Sequence, residues 1–381
     1  MVASIQEQMV SGKSGSFQSV EKKIAIVADA LVVPGGTEKV TLSLSNIFPG
    51  APIFTSVYLP EATFPEFKTR KIFTMPLASR VKNERQFKRM FFWWYLNFSR
   101  LDLKGFDVVI SSSCYLAKYI HPPGGVAHIC YLQNPFRLIW KPSEYGLNSS
   151  PFGRLTTWFI KLFLPLAKVA DKAKTRRIQH LVANSRNMAD QFQKIYGMEA
   201  EVIYPPVRID QYAIVTTPGD YYLCAGRLIS HKRVDLAIEA CNRLKRKLIV
   251  AGDGLERTAL EKLGGDTVEF VGRVSDEQLR KLYSNCRALI FPSDEDFGMV
   301  PVEVQASGRP VIAYRSGGVL ETVLENRTGI FFDNQEVDDV CAAILRCEGM
   351  NFDPALIREN VIRFDQAFFA ENIRKCVERY A

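Results

Sequence analysis

"RALIFPSDEDFGMVPVEVQASGRPVIAY", residues 287–314, sets a short apolar run, an acidic loop, a Gly- and Pro-led segment and a second apolar run in series. The two apolar runs, Ala288–Phe291 and Val311–Tyr314, have strand length. Between them Gly298 and Pro301 announce a helix start and Gly308 its end. Such strand–helix–strand units build parallel sheets, and ligands of those sheets sit beyond the carboxyl ends of the strands. The loop in that place carries Asp294, Glu295 and Asp296, with Glu303 in the early turns of the helix. Two chemical readings compete. The aspartates form a D-x-D clamp for a divalent cation, or Glu295 and Glu303 are two arms that accept hydrogen bonds from the hydroxyls of one sugar nucleotide.

The same alternation runs through the chain. Downstream, "YYLCAG" (221–226), "KLIVAGDG" (247–254), "VEFVGRV" (268–274), "RPVIAY" (309–314) and "GIFF" (329–332) are strand candidates separated by helical patterns. Ser275 and Gln278 form a capping box at the head of one helix, and Asp353-Pro354 opens another. Upstream, "KIAIVA" (23–28), "APIFTSVY" (51–58), "FDVVISSS" (106–113), "GVAHICYL" (125–132) and "HLVANS" (180–185) repeat the plan up to "VIYPPV" (202–207). The fold class is therefore α/β, with two Rossmann-like, doubly wound parallel-sheet domains facing a central cleft. The expected division is a disordered tail over 1–21, a first domain over 22–207, a linker over 208–219, a second domain over 220–365, and a C-terminal helix over 366–381 that packs back on the first domain. "SGKSGS" in the tail lacks the upstream Gly and the preceding strand of a phosphate-binding loop.

At 381 residues, with 47% hydrophobic and 24% charged, the chain has enough apolar residues for two ordinary cores. Its net charge of +8 is concentrated. Residues 61–100 hold nine Lys/Arg against three Glu, and residues 151–180 hold seven against Asp171 alone. "QFKRMFFWWYLNF" (86–98) and "WFIKLFLPLAKVADKAKTRR" (158–177) interleave those cations with large apolar residues, a composition that suits an anionic membrane surface. Nucleic acid is disfavoured: the chain has no zinc-ligand spacing, RNP-like motif or dense basic arm. Eight cysteines without a C-x-x-C pair fit a reducing, cytoplasmic compartment. No run approaches the roughly eighteen apolar residues of a membrane span, so any membrane association is peripheral.

Further candidates follow other strands. Gly35 and Gly36 lead from the first strand into a helix and can bring backbone N–H groups to an anion. Gly226, Arg227 and Lys232 stand after "YYLCA", a fork and a point charge suited to a diphosphate. Gly252 and Gly254 make another tight strand-to-helix turn, and Asn184-Ser185 stand on the opposite wall. Gly317-Gly318 lead a helix that carries Glu321. With these cations and helix heads present, a diphosphate needs no metal, which favours the two-arm reading. His121 and His128 lie near the cleft in sequence but read as structural.

The order of these motifs, "GGTE" (35–38), "NSR" (184–186), "YPPV" (204–207), "HKRVDLAIEA" (231–240), "VAGDG" (250–254) and "EDFGMVPVE" (295–303), resembles the family-4 retaining glycosyltransferases of GT-B architecture. The E-x-F-G-x-x-P-x-E signature is matched by Glu295, Phe297, Gly298, Pro301 and Glu303. "SDEQLRKLY" (275–283) and "YLQNPFRLIW" (131–140) are similar to bacterial mannosyltransferases of O-antigen or exopolysaccharide synthesis. The resemblance implies metal-independent transfer from a nucleotide sugar, GDP-mannose or alternatively a UDP-sugar, to a lipid-linked or saccharide acceptor. By it, Arg227 and Lys232 hold the diphosphate, Glu303 the ribose, and Glu295 with the backbone of Phe297, Gly298, Met299 and Val300 the sugar; Gly35, Gly36, Asn184, Gly226, Gly252 and Gly254 complete the donor side. Cys114, Gln133 and Arg137 fall on the acceptor side. The family often carries His at the positions of Gln133 and Cys114, and Gln cannot titrate, so no general base is expected there. A sugar-nucleotide epimerase on the same fold, or a scaffold that binds a sugar nucleotide without turnover, are the competing classes.

Overall fold

The computed structural model describes residues 22–142 and 153–380. The tail expected over 1–21, including "SGKSGS", lies outside the described residues. Seven strands form the first sheet: β1 (Ile24–Ala28), β2 (Ile53–Thr55), β3 (Ile72–Thr74), β4 (Val108–Ser113), β5 (Ala127–Leu132), β6 (His180–Ala183) and β7 (Glu201–Val202). Six form the second: β8 (Tyr221–Ala225), β9 (Lys247–Ala251), β10 (Val268–Gly272), β11 (Leu289–Phe291), β12 (Val311–Tyr314) and β13 (Gly329–Phe332). The orders are β3-β2-β1-β4-β5-β6-β7 and β10-β9-β8-β11-β12-β13, with every pairing parallel. Strands buried on both faces read as unbroken apolar runs, which is why β8, β11, β12 and β13 of the second sheet, and β9 after its first residue, are visible in the sequence; β10, with Glu269 exposed, shows through its apolar residues on either side. The sequence did not announce β3, a three-residue edge strand with two exposed side chains, or separate β7 from the segment after it.

In each sheet the strand order reverses at the first strand, so the crevices open between β1 and β4 and between β8 and β11. Four loops therefore meet at the cleft: those after β1, β4, β8 and β11. The chain crosses between domains twice, and the crossings are bonded together: Val207 N donates to Phe364 O at 3.0 Å and Gln366 N to Val207 O at 3.0 Å. Around them lies a small core of Val207, Ile209, Phe297, Val302, Ala306, Val361 and Phe364. After the second crossing, the helix Gln366–Tyr380 buries Phe369, Ile373, Cys376 and Val377 against the first sheet.

Glycine carries a packing constraint in the second domain. Gly252 has φ +135°, and a methyl group there would stand 1.8 Å from Gly226 O. A methyl at Gly254 would stand 2.1 Å from Leu228 O. The loops after β8 and β9 thus run backbone against backbone, tied by Gly226 N to Ala251 O at 2.9 Å and Leu228 N to Asp253 O at 3.0 Å. The capping box at Ser275 and Gln278 is present, and Asp353 caps the helix Pro354–Val361. All eight cysteines are buried free thiols. Among the described residues no helix is long and apolar enough to cross a membrane.

Gly252→Ala combines a strained φ with a clash against backbone, so thermal unfolding should show a loss on the order of 3 kcal/mol or more. A melting curve within a degree or two of the parent would show that the two loops can separate freely.

Candidate active site

On the second-domain wall, Gly298 (φ +82°) starts the helix Met299–Ala306. The loop before it is pressed on Gly317-Gly318. Gly318 N donates to Glu295 O at 2.8 Å, and a methyl at Gly318 would stand 2.3 Å from Phe297 Cα. Gly317-Gly318 therefore shape the acidic loop from behind. The aromatic ring of Phe297 is buried in the crossing core, tilted against Tyr204 and edge-on to Phe364, while Val300 packs toward the second sheet. The two aspartates of the D-x-D sequence diverge: Asp296 pairs with Arg137 of the first domain, and Asp294 lies against Gly317. Among the described residues no group of three metal-ligating side chains is assembled.

Lys232, on the turn after β8, pairs with Glu295. Burial, with the Arg227 and Arg137 cations as neighbours, pushes its ammonium down from the usual lysine range. Arg227 is exposed at the mouth, and the turn of Gly226, Arg227 and Lys232 lines a small depression with Pro292 and Ser293. His231, which the sequence reading passed over, joins this cationic group. Burial and the Lys232, Arg137 and Arg227 charges push its imidazolium down to about 4, so it is neutral near pH 7. The signal for it was its place beside Lys232 in "SHK".

Glu303 is buried, and both its oxygens are engaged: Lys39 Nζ of the first domain donates at 2.8 Å and Tyr283 Oη at 3.1 Å. Met299 meets the other wall as well, its Sδ 3.5 Å from where a methyl at Gly36 would be. Ser185 Oγ donates to Asp296 O at 2.7 Å and caps its own helix, Arg186–Tyr196, through Met188 N at 3.1 Å. Glu321 reaches across to the same helix head, accepting from Arg186 N at 3.0 Å and Asn187 N at 2.9 Å, with Tyr204 Oη at 3.0 Å. Negative charge at a helix N-terminus is favoured by the unpaired amides there. Asn184 is buried beside this contact and accepts from Ser185 Oγ at 3.2 Å.

The first-domain floor is built around Asp29, at the end of β1. Its carboxylate accepts from the amides of Cys114, Tyr115, Leu116 and Ala117 at 2.6–2.8 Å, folding the loop after β4 around itself. Burial raises its proton affinity and those four donors pull it back. Thr37 Oγ1 lies 3.0 Å from Cys114 Sγ and donates to Gln133 Oε1 at 3.2 Å; Gln133 Nε2 reaches Ser112 Oγ at 3.4 Å. Cys114 and Gln133 are thus tied into the floor, and burial pushes the Cys114 thiol up to about 12. Glu38 folds back on Gly35 at the head of the helix Gly36–Ile47, its Oε2 2.7 Å from where a methyl at Gly35 would be. Burial pushes its carboxyl up to about 8, so that helix head already carries a carboxyl group of the protein's own. Asp29 and Glu38 had a local signal, an acidic residue immediately after an apolar strand and one in the first turn of the next helix. Lys39 had none, because its partner is remote in sequence, and Glu321, marked by its place on the helix after Gly317-Gly318, gave no sign of its partners on the first domain.

Neither histidine near the cleft in sequence is part of it. His121 meets Arg177 at 3.3 Å, and His128 is buried in β5 with Ser111 Oγ 2.8 Å from its Nε2. Burial, with lesser effects of His121 and His180, pushes the His128 imidazolium down to about 3. The folded chain keeps it neutral while the unfolded chain protonates it below its ordinary value of about 6.5, so this group removes stability as pH falls from 6.5 toward 3, by about 1.4 kcal/mol per pH unit. His128→Gln should flatten that part of a denaturant-derived stability-versus-pH curve, and an unchanged slope would place the loss elsewhere.

The family model described as Glycosyltransferase Family 4 matches residues 34–211, and the one described as Glycosyl transferases group 1 matches residues 214–360. A D-inositol 3-phosphate glycosyltransferase of Mycobacteroides abscessus is 30% identical over 241 residues, 55% of this chain and 53% of that one. A GDP-mannose-dependent alpha-(1-6)-phosphatidylinositol monomannoside mannosyltransferase of Mycolicibacterium smegmatis is 26% identical over 213 residues, 48% of this chain and 56% of that one. The chain spans about half the length of the curated relatives it matches. Among solved structures, Anabaena HepE in complex with UDP-glucose superposes with a TM-score of 0.68 at 16% identity, covering 94% of this chain and all of that one, a likeness of fold. Two parallel Rossmann-like sheets in this arrangement are the GT-B fold, and two glycosyltransferase models, family 4 on the first domain and group 1 on the second, between them match both halves of the chain.

Proposed function

We propose that the protein is a retaining, metal-independent glycosyltransferase that moves a hexose, mannose from GDP-mannose, onto a lipid-linked saccharide acceptor at the cytoplasmic face of a membrane, in cell-surface polysaccharide synthesis. The observation that carries the reading is the gathering on one wall of the cleft of a cationic turn, Arg227 and Lys232, and two carboxylates, Glu295 and Glu303, on the loop and helix after β11, with Lys232 paired to Glu295 and Glu303 to Lys39 of the first domain. The mannose assignment is supported by the relative named as GDP-mannose-dependent.

In this reading Arg227, Lys232 and the head of the helix Met299–Ala306 take the diphosphate, whose charge grows as the bond to the sugar breaks. Glu295 releases Lys232 to the phosphates and turns to the sugar hydroxyls. Glu303 exchanges Lys39 for a ribose while keeping Tyr283. The acceptor hydroxyl attacks from the face the leaving phosphate vacates, and that phosphate takes its proton. The protein supplies position and charge, and no side chain acts as a nucleophile. This account fits a floor in which Gln133 cannot titrate and Cys114 is held as a thiol.

The test begins with calorimetric titration in EDTA, first with GDP-mannose and then with UDP-glucose. Saturable binding of the first is expected; binding of the second alone would replace mannose by a UDP-linked sugar. Glu303→Gln and Glu295→Gln should each lower kcat/KM about ten- to a hundredfold, the worth of a hydrogen bond to a charged group. Activity lost in EDTA and restored by manganese would overturn the metal-free mechanism.

Lys39→Met removes a competitor for Glu303. The ion pair is partly exposed and worth about 1 kcal/mol, so nucleotide affinity should rise about fivefold. Unchanged or weaker binding would show that Lys39 does not leave when the nucleotide arrives.

A further inference from the structure

The helix Gly153–Thr175 carries Leu162, Phe163, Leu166 and Val169 in the open; Leu166 and Val169 are each 66% exposed. At about 100° per residue, Leu162, Leu166 and Val169 fall on one line along the helix and Asp171 on the opposite side. The opposite side is fixed with unusual thoroughness. Asp171 is fully buried, pairs with Lys118 at 2.6 Å, and accepts from Tyr196 Oη at 2.9 Å, Trp140 Nε1 at 2.6 Å and Tyr119 Oη. At its C-terminal end the helix Gly153–Thr175 meets the helix Phe91–Phe98, through Lys174 Nζ 3.9 Å from the centre of the Tyr95 ring. The shorter helix also presents apolar side chains outward: Phe92 is 81% exposed, with Trp93 and Leu96 beside it.

Two adjacent helices thus turn large apolar side chains away from the core, which water disfavours. Around the longer helix the charge has one sign. Residues 151–180 hold seven Lys/Arg, and their single acid, Asp171, is consumed by the buried pair with Lys118. Lys172, Lys174, Arg176 and Arg177 close the C-terminal end of the longer helix and the turn after it. An apolar stripe bordered by cations is complementary to a surface that offers hydrocarbon beneath negative charge.

We infer that these two helices are a docking face for an anionic lipid bilayer, lying in the interface with Phe92, Phe163 and Leu166 below the headgroups. The inference deepens the proposed lipid-linked acceptor, and rests on that reading only for its purpose. The structure also gives the face a connection to the cleft. Phe91 stacks on Phe136 with ring centres 5.2 Å apart, and Trp140 is bonded to Asp171. Phe136 and Trp140 bracket the short helix Arg137–Trp140, whose Arg137 pairs with Asp296 across the cleft. Seating the two helices on a bilayer therefore fixes both ends of the segment that carries Arg137, and sets the acceptor wall at a constant height above the lipid.

Co-sedimentation of the full chain with equimolar phosphatidylcholine–phosphatidylglycerol vesicles, beside pure phosphatidylcholine vesicles, tests this. Binding at least tenfold stronger to the anionic vesicles is expected, falling as salt rises. F163E with L166E, and separately F92E on the other helix, should each reduce it at least tenfold while GDP-mannose titration in solution stays as in the parent. Equal binding to both vesicle types, no binding, or undiminished binding by both variants would overturn the inference. So would a dimer in the parent that L166E converts to monomer without vesicle binding, since a second copy would then cover the face. The nucleotide titration separates the two readings: donor binding without vesicle binding sinks the docking face alone, and vesicle binding without donor binding sinks the transferase reading alone.

Discussion

The second domain depends on backbone meeting backbone with nothing between. The loops after β8 and β9 touch through Gly226, Gly252 and Gly254, and the acidic loop after β11 rests on Gly317 and Gly318. These contacts leave no space for a side chain, so the loops cannot slide without breaking them. Glu295 and the head of the helix at Gly298 inherit their positions from that contact, and Lys232 follows on the turn anchored by Leu228. Gly252 and Gly254 are thus accounted for by loop packing, whatever ligand the turn also meets.

Electrostatics then complete what packing begins. Among the described residues three acidic groups of the cleft's second wall have partners on the first domain: Glu303 with Lys39, Asp296 with Arg137, Glu321 with the amides of Arg186 and Asn187. The walls are complementary to each other as well as to an anionic ligand. A ligand that carries phosphates and hydroxyls replaces one set of partners by another, and the net gain is the difference between two well-satisfied states. Contacts of Glu321 and Ser185 bind a helix head and backbone, and join the domains independently of those ion pairs. Phe297 joins the two effects, since the residue beside the helix head is packed into the core where the chain crosses between domains.

Much of this was legible in the sequence, for reasons that vary by residue. All strands of the second sheet but the edge strand β10 are buried on both faces and spelled themselves as apolar runs, and Ser275, Gln278 and Asp353 act on neighbours within three residues. Gly317-Gly318 were visible as a turn that leads a helix, whereas their service to the acidic loop was not, because it joins segments that only the fold brings together. Lys39 and Glu303 are 264 positions apart, and Asp29 and the loop it folds more than 80. No periodicity or cap connects residues at such separations. The edge strand β3 failed for the opposite reason, being short and half exposed, so that burial left no imprint on it.

The two walls of the cleft are held by different physics. Glycine contacts on the second domain, with the backbone hydrogen bonds between the same loops, give a rigid wall. The first domain is organised by buried charge: Asp29 folded into four amides, and Lys118 paired with Asp171 inside a ring of Tyr119, Tyr196 and Trp140. A buried ion pair adds little net stability, because desolvation offsets the attraction. What it imposes is direction, since each lone pair is satisfied in only one arrangement. Asp171 therefore locks the orientation of a helix whose other side is apolar and open, and so fixes where that side points relative to Arg137. A hydrophobic contact of the same size would have held the helix as firmly but allowed it to turn about its axis.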